Sequence, residues 1–335
     1  MKFFFLMCSE RSGSNLISKM FEAHPEVCSP STSHVGDVFI PNIYAYSEFE
    51  SKKLAQDIVD LLDSKNAIWQ RSFTVDEIES QIQKHGREKI FEYIYRSEAK
   101  QRGVDAILVK ENRIYEFSQF LVSYFSQASY LYMHRDPRGM AASWKYGYAM
   151  RGGVVRAAHV WLNDQRGFMR MASWLPKASW AKVSYENLVS APEITLISAC
   201  DQLGIQYNKS MLDYANSTDA KLNALNAKDW QNIDKPLIVE NIDKYQELLS
   251  QDEIAYVEHV CSREMVALGY VPSQPSLSEV EFEALTKRVL LAEPDKTHRY
   301  QMETTQAERE RRDRHFSKSR EVFSRPFVFE KNQSQ

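Results

Sequence analysis

This sequence of 335 residues has few cysteines, no long apolar run and little net charge. No segment approaches the roughly 20 consecutive apolar residues that a membrane-spanning helix needs. The net charge of −3 gives no general attraction to nucleic acid or to an anionic membrane, so any basic site must be local. The cysteines form no C-x-x-C pair and no Cys/His ligand spacing, which predicts buried thiols in a reducing compartment and no disulfide framework or metal site. They are Cys8, Cys28, Cys200 and Cys261.

The apolar run at residues 3–8 is too short for the core of a secretory signal peptide, which spans about 7–15 residues. No small-residue cleavage site follows it before Arg11. We therefore predict that this run is the first core strand and that the protein is cytoplasmic. The sequence also contains no internal repeat and no long low-complexity tract.

A loop of small residues, 9–15, follows this predicted strand, and a helical pattern begins at Leu16. This layout is typical of a buried parallel strand, a phosphate-binding loop and a helix whose N-terminus faces an anion. The loop is not a Walker A box, because Ser14 stands where lysine would follow Gly13, and Cys8 replaces the earlier glycine. The site therefore suits a phosphate-like group, but not the usual nucleoside triphosphate.

Strand and helix patterns alternate along most of the chain, with further strands predicted at 104–109, 129–133 and 179–184. The alternation predicts an α/β fold with a parallel central sheet flanked by helices. Ligands of such sheets bind at the carboxyl ends of the strands. Four polar side chains fall at or just past those ends, which indicates one shared site: Arg11, Lys110, Arg135 and Tyr185.

A second segment, residues 130–144, carries Arg135 at the end of a strand and Ser143 eight positions later. Together with the first loop, it resembles the sulfotransferases that use 3'-phosphoadenosine 5'-phosphosulfate (PAPS). In that family the first strand-loop-helix holds the 5'-phosphosulfate, and the later arginine and serine hold the 3'-phosphate. The resemblance implies a P-loop NTPase-like fold, PAPS as the donor and no metal.

The resemblance also assigns roles to single residues. Arg11 would contact the 5'-phosphate and the bridging oxygen, or else be a solvated loop arginine. Lys110 would lie near the transferring sulfuryl group, or be a surface lysine, and Tyr185 in Tyr-Glu-Asn-Leu would lie by the adenine, or fill the core. Arg135 would bind the 3'-phosphate, or pair with a surface carboxylate. Backbone N–H groups would complete the 5'-cradle at Ser12, Gly13, Ser14 and Asn15.

The general base is the least defined part of the predicted site. Asn112 stands where many cytosolic members carry histidine, and the loop after residues 24–27 lacks the glutamate found in others. We predict His34, in the same loop, as the base, since an imidazole with a pKa near ~6.5 suits proton removal at physiological pH. Glu111 is the second candidate, and His134 is expected to be a structural strand-end histidine.

The composition changes beyond Pro272, which predicts a sulfotransferase domain at 1–272 and a helical, charged extension at 273–335. The mixed charges at 306–320 predict a solvated, ion-paired helix. Arg320 and Arg325 are alternative 3'-phosphate contacts in that extension and are left outside the predicted site. Arg138 is expected to be an exposed helix residue.

These observations predict sulfuryl transfer from PAPS to a hydroxyl of a carbohydrate or small-molecule acceptor, by in-line displacement with a general base. The predicted partner is that acceptor, with no nucleic acid, and a homodimer is left as an open alternative. A nucleotide kinase or other NTPase of related fold, and a catalytically inactive nucleotide-binding homologue, are the alternatives. The acceptor-binding segments, about 32–100 and 145–175, contain aromatic residues that either stack on a sugar or fill the core: Tyr44, Tyr46, Trp69, Tyr146 and Trp161.

Overall fold

The computed structural model describes residues 1–64, 69–147, 152–226, 230–293 and 296–327. Within these residues, five strands form one sheet in the order β2-β3-β1-β4-β5, and every neighbouring pair is parallel. The predicted α/β class, with its P-loop NTPase-like parallel sheet, is thereby confirmed. The strands are β1 (Lys2–Cys8), β2 (Val27–Cys28), β3 (Ala106–Val109), β4 (Ser129–His134) and β5 (Trp180–Ser184).

Helices cover both faces of the sheet, and in the described part of the chain none is long and apolar enough to cross a membrane. They are α1 (Ser14–Glu22), α2 (Val35–Phe39), α3 (Ser51–Ser64), α4 (Val75–His85), α5 (Ile90–Gln101), α6 (Ser118–Tyr124), α7 (Pro137–Tyr146), α8 (Val154–Trp174), α9 (Tyr185–Ser190), α10 (Pro192–Leu203), α11 (Thr218–Asn226), α12 (Tyr245–Leu248), α13 (Gln251–Leu268), α14 (Glu279–Leu291), α15 (Lys296–Glu303) and α16 (Gln306–Phe323).

Strand β1 lies at the centre of the sheet and explains the apolar run at the start of the sequence. Its odd-numbered residues from Phe3 to Met7 pack into one apolar cluster, and its even-numbered residues from Phe4 to Cys8 pack into another. A parallel strand covered on both faces must be apolar throughout, so the alternation typical of a half-exposed strand is missing. All four cysteines are buried and free, as predicted.

The strand order places the polar loops of the predicted site side by side. The chain passes from β1 to β2 and β3 on one side of the sheet, and then to β4 on the other side. Cys8 at the end of β1 pairs with Met133 of β4, so the loops that follow these two strands are neighbours. Such a reversal of strand order opens a crevice at the carboxyl ends of the strands, where ligands bind.

The helical C-terminal extension packs onto the main body. Helix α14 packs against α8 and α13, and α16 packs against α2 and α3. The helix predicted at 306–320 is present, but it is not solvated all round, because Val322 is fully buried and Glu308 and Ser319 are almost so. The predicted boundary at residue 272 stays a prediction.

Candidate active site

A cavity of about 740 Å³ opens at the carboxyl ends of the central strands. It brings together nearly all the residues that the sequence places in the site: Arg11, Gly13, Ser14, Asn15, His34, Lys110, Arg135, Ser143 and Tyr185. Ser12 does not line the cavity. Its side chain is buried, and both its N–H and its hydroxyl donate hydrogen bonds to the carbonyl oxygen of Ser9, at 3.4 and 2.6 Å. Ser12 therefore closes the turn from within the loop.

Gly13 shapes the loop between β1 and α1. Its φ of +89° lies in the left-handed region, and a Cβ built there would lie 2.5 Å from Cδ2 of Tyr185 and 2.8 Å from Cε of Met133. Only glycine fits both the backbone and this packing. Helix α1 then begins at Ser14, and because Ser14 and Asn15 line the cavity, the positive end of its dipole faces it.

Arg11 and Arg135 belong to one connected group. Nε of Arg11 donates to Oγ of Ser143 at 3.0 Å, and Nη1 of Arg135 donates to the carbonyl oxygen of Arg11 at 3.1 Å. The guanidinium of Arg135 lies 4.1 Å from the ring centre of Tyr185, a cation–π contact that holds it against the cavity wall. The residues of the two motifs therefore meet although 124 and 132 positions separate them along the chain.

Helix α7 presents Ser143 to this group. Asp136 caps the helix by accepting a 2.8 Å hydrogen bond from the N–H of Arg138, with proline next in the sequence, as the pattern predicts. The expectation that Arg138 is exposed is wrong. Its buried guanidinium pairs with Asp136 and with Glu258 of α13, each at 2.6 Å. Arg138 thus ties the start of α7 to α13, a partner 120 positions away that no local pattern reveals.

Lys110 brings a cation to the loop at residues 9–15, which has Ser14 in place of the Walker lysine. It follows β3, and its Nζ donates a hydrogen bond to Oδ1 of Asn15, the second residue of α1. Burial lowers the pKa of its ammonium group. A cation is therefore held at the N-terminus of α1 by the neighbouring strand.

The two candidate bases lie together with a third group. Nδ1 of His34 lies 3.2 Å from Oδ2 of Asp37. A ring nitrogen of His34 and one carboxylate oxygen each of Asp37 and Glu111 all lie within 4.8 Å of one another. Burial disfavours the imidazolium, but the Asp37 and Glu111 carboxylates outweigh it and raise the pKa of His34 to about 9. Burial and the Asp37 carboxylate raise the pKa of Glu111, which accepts a 2.8 Å hydrogen bond from Ser33. Sequence analysis missed Asp37, although its spacing of three from His34 was visible.

Asp164 of α8 is a further cavity residue that sequence analysis missed. Its carboxylate is buried and accepts a 2.9 Å hydrogen bond from the Tyr115 hydroxyl, and burial raises its pKa to about 7. Gly167, one turn later, leaves room for the Tyr115 ring, because a Cβ there would lie 2.5 Å from it. No motif marks Asp164, since its partner comes from another part of the chain.

Several expected residues lie away from the cavity. Nδ1 of His134 is 2.8 Å from the Tyr270 hydroxyl, and burial lowers the pKa of His134 to about 4, so it is a structural residue as predicted. Arg320 donates to the carbonyl oxygen of Phe316, and Arg325 lies over the ring of Tyr46.

None of the five aromatic residues proposed for sugar stacking lines the cavity, and Tyr46 and Trp161 fill the core. Four stretches of the predicted acceptor segments and extension lie outside the described residues: 65–68, 148–151, 294–295 and 328–335.

The cavity wall is locally basic, as the small net charge requires of any anion site. Cationic side chains on it are Arg11, Lys110, Arg113, Arg135, Arg156 and Arg312. Carboxylates on it are Glu10, Asp37 and Asp164. The cluster of His34, Asp37 and Glu111 adds a proton-carrying group at one part of this surface.

Known proteins resemble this chain in fold, and a family model matches its sequence. The chain is similar in structure to the "Sulfotransferase Domain from the Synechococcus PCC 7002 Olefin Synthase", with a TM-score of 0.51 and 18% sequence identity over 86% of this chain and 94% of that one. It is also similar to the "Sulfotransferase Domain from the Curacin Biosynthetic Pathway", with a TM-score of 0.49 and 16% identity over 81% and 98% of the two chains. No curated protein matches the sequence. The model of the family described as "Sulfotransferase family" matches residues 4–209, so the chain belongs to the sulfotransferase family.

Proposed function

We propose that this protein transfers a sulfuryl group from PAPS to a hydroxyl of a small-molecule or carbohydrate acceptor, without a metal. The observation that carries the proposal is the joining of Arg11, Ser143 and Arg135 in one cavity, at the N-terminus of α1. PAPS carries anionic groups at the 3' and 5' positions of its ribose, and a site for it needs two sets of hydrogen-bond donors. A cytoplasmic location and a homodimer remain predictions.

The donor would lie across the sheet at the switch between β1 and β4. Arg11, Lys110 and the N–H groups at the start of α1 suit the 5'-phosphosulfate, because helix N-termini and planar guanidinium groups favour oxyanions. Arg135 and Ser143 suit the 3'-phosphate. Tyr185 lines the same wall and would lie beside the adenine, with one face of its ring covered by Arg135.

The reaction breaks the bond between sulfur and the bridging oxygen of the phosphate and forms a bond between sulfur and the acceptor oxygen. Arg11 and Lys110 would neutralise the charge that grows on the leaving phosphate, which is the main task of a site for in-line group transfer. The acceptor proton would pass to His34. Only the neutral imidazole can accept this proton. The pKa of about 9 differs from the ordinary value of ~6.5 that the sequence analysis assumed, so His34 is mostly an imidazolium at physiological pH and becomes a better base as the pH rises. Glu111 remains the second candidate for the base.

The structure gives the NTPase alternative little support. Ser14 occupies the position of the Walker lysine, and Lys110 reaches the loop from a different strand. Asp136, the carboxylate that follows β4, is already engaged as a helix cap and as the partner of Arg138. An inactive homologue would not require a histidine, an aspartate and a glutamate within 4.8 Å at the same cavity, so the cluster favours an active enzyme.

Calorimetric titration with 3'-phosphoadenosine 5'-phosphate (PAP), and separately with ATP and Mg²⁺, tests donor binding. We expect PAP to bind without metal, and far more tightly than ATP. Preferential binding of ATP with Mg²⁺ would overturn the proposal. An acceptor screen with labelled PAPS then tests turnover, and tight PAP binding with no transfer to any hydroxyl in the screen would favour the inactive homologue.

A further inference from the structure

Helix α16 builds one wall of the cavity although it lies outside the residues that the family model matches, 4–209. Five of its side chains line the cavity, at positions 312, 315, 316, 319 and 323. Positions 312, 315, 319 and 323 are three or four residues apart, which is the spacing of one helix face, and 316 adjoins it. The family likeness alone therefore leaves part of the cavity wall unexplained.

The helix is fixed to the main body by buried contacts. Val322 is fully buried in the core cluster that also contains α3 and α5. Nζ of Lys318 lies 3.2 Å from Oδ1 of Asp57, a fully buried carboxylate of α3, and 3.1 Å from Oδ2 of Asp60. Breaking a buried ion pair leaves an uncompensated charge, so these contacts hold the face of α16 in place.

One residue of this face, His315, contacts the predicted base. The ring centres of His315 and His34 are 4.9 Å apart, at an interplanar angle of 55°. Nδ1 of His315 lies 3.3 Å from Oγ of Ser64 at the end of α3. His34 is thus held on one side by Asp37 and in ring contact with His315 of α16.

We propose that His315 is a positioning residue for His34, and that α16 thereby completes the acceptor half of the active site. The assignment of His34 as the base rests on the proposed function, whereas the contact between the two rings does not. His315 acts through packing: it limits the orientations of the His34 ring and keeps water from that face. A base must be held within hydrogen-bond reach of the proton that it removes, so a loosely held ring loses efficiency.

The charges around the pair are consistent with this role. His34 is faced by Asp37 on α2, Glu111 after β3, Glu10 after β1 and His315 on α16, while Arg312 lines the same cavity. Burial and the neighbouring His34 lower the pKa of His315 to about 4. His315 is therefore neutral at physiological pH and packs against the imidazolium without repulsion.

Imidazole NMR titration of the full-length protein tests the proposal without donor or acceptor. His315→Phe keeps a ring and loses the hydrogen bond to Ser64, whereas His315→Gln keeps a hydrogen-bonding group and loses the ring. We expect the titration midpoint of His34 in the Phe variant to match the wild type. In the Gln variant we expect it to rise by about half a pH unit or more, because water reaches the exposed face and burial no longer opposes the charge. Ser317→Ala, an exposed change on the same helix that does not line the cavity, is the matched control.

PAP affinity should change less than about twofold in all three variants, because His315 lies on the acceptor side. Once an acceptor is known, its kcat/KM should fall about tenfold or more in the Gln variant and little in the Phe variant. The proposal is overturned if the Gln variant titrates and turns over like the wild type, or if the Phe variant behaves like the Gln variant. Failure of the wild type to bind PAP would overturn the proposed function alone, since the titration of His34 needs no PAP.

Discussion

Nε of Arg11 donates a 3.0 Å hydrogen bond to Oγ of Ser143, and this bond joins the two motifs on which the functional argument depends. The sequence suggests two separate cationic groups, one for the 5'-phosphosulfate and one for the 3'-phosphate of a nucleotide. In the folded chain they are in contact, because β1 and β4 are neighbours in the sheet and both motifs follow those strands. PAPS would therefore meet one continuous set of hydrogen-bonding side chains that is already in place before it binds.

Replacing Arg135 tests recognition of the 3'-phosphate. A hydrogen bond to a charged group contributes about 1.5–3 kcal/mol, so we expect Arg135→Ala to weaken PAP binding by about 10- to 150-fold. Adenosine 5'-phosphate, which lacks the 3'-phosphate, should lose much less affinity, and calorimetry measures both. Lys182→Ala, which removes an exposed cation of β5, is the control for general charge. Equal losses for the two nucleotides would show that Arg135 does not contact the 3'-phosphate.

Gly13→Ala should damage both the fold and the donor loop. A non-glycine residue in the left-handed region costs about 1–2 kcal/mol, and the new Cβ would also overlap the Tyr185 ring and the Met133 methyl group. Gly204→Ala is a matched control, since its φ is +68° but no heavy atom lies within 4 Å of the built Cβ. We expect a comparable strain cost in the control, with PAP affinity lost only in the Gly13 variant. Urea unfolding and PAP titration measure the two effects, and unchanged PAP binding by the Gly13 variant would contradict the close packing.

The buried pair of Arg138 and Glu258 should contribute to stability more than its surface counterparts. Removing one partner of a buried ion pair costs about 3–5 kcal/mol, so Glu258→Gln should lower the free energy of unfolding by about 3 kcal/mol. Asp252→Asn, which breaks an exposed pair with Arg288, should have little effect. Urea denaturation of both variants measures the difference. Similar losses would mean that burial of the first pair does not matter.

The pH dependence of turnover should follow His34. Its pKa is raised to about 9, and the base acts in its neutral form, so kcat/KM for the acceptor should increase with pH and level off above about 9. His34→Ala should be slow and lose this dependence. If Glu111→Gln abolishes the dependence and His34→Ala keeps it, Glu111 is the base.

The stabilisation that His34 gives the native state should decrease with rising pH, whereas turnover should increase. A histidine whose pKa is raised on folding stabilises the native state fully below its unfolded value of about 6.5, and this stabilisation is lost as the pH rises through about 9. Unfolding free energies of the wild type and of His34→Ala should therefore converge between these values. A constant difference from pH 6 to 10 would show that His34 is not charged in the native state.

The sequence predicts the sheet and the donor half of the site because both are encoded locally. Strand β1, the glycine after it, and the arginine and serine around α7 stand in short motifs, and parallel strands bring their ends together. The rest depends on contacts between distant segments. Arg138 belongs to a helix with a polar appearance, and only Glu258 on α13 shows that it is buried. Asp164 likewise depends on Tyr115 from another element.

The base region lies between these two cases. His34 and Glu111 are separate candidates in the sequence, and the fold shows that they belong to one cluster with Asp37. Nothing in the local sequence pattern indicates that His315 reaches this cluster, because the position of α16 depends on its packing against α2 and α3. Charge pattern alone predicts only a solvated helix there.

The position of α16 bears on how enzymes of this kind are compared. The family model covers residues 4–209, which hold both motifs of the proposed donor site. Helix α16 lies outside that stretch, yet its side chains line the cavity. Two relatives with the same donor loops and unrelated final helices should therefore be expected to modify different molecules.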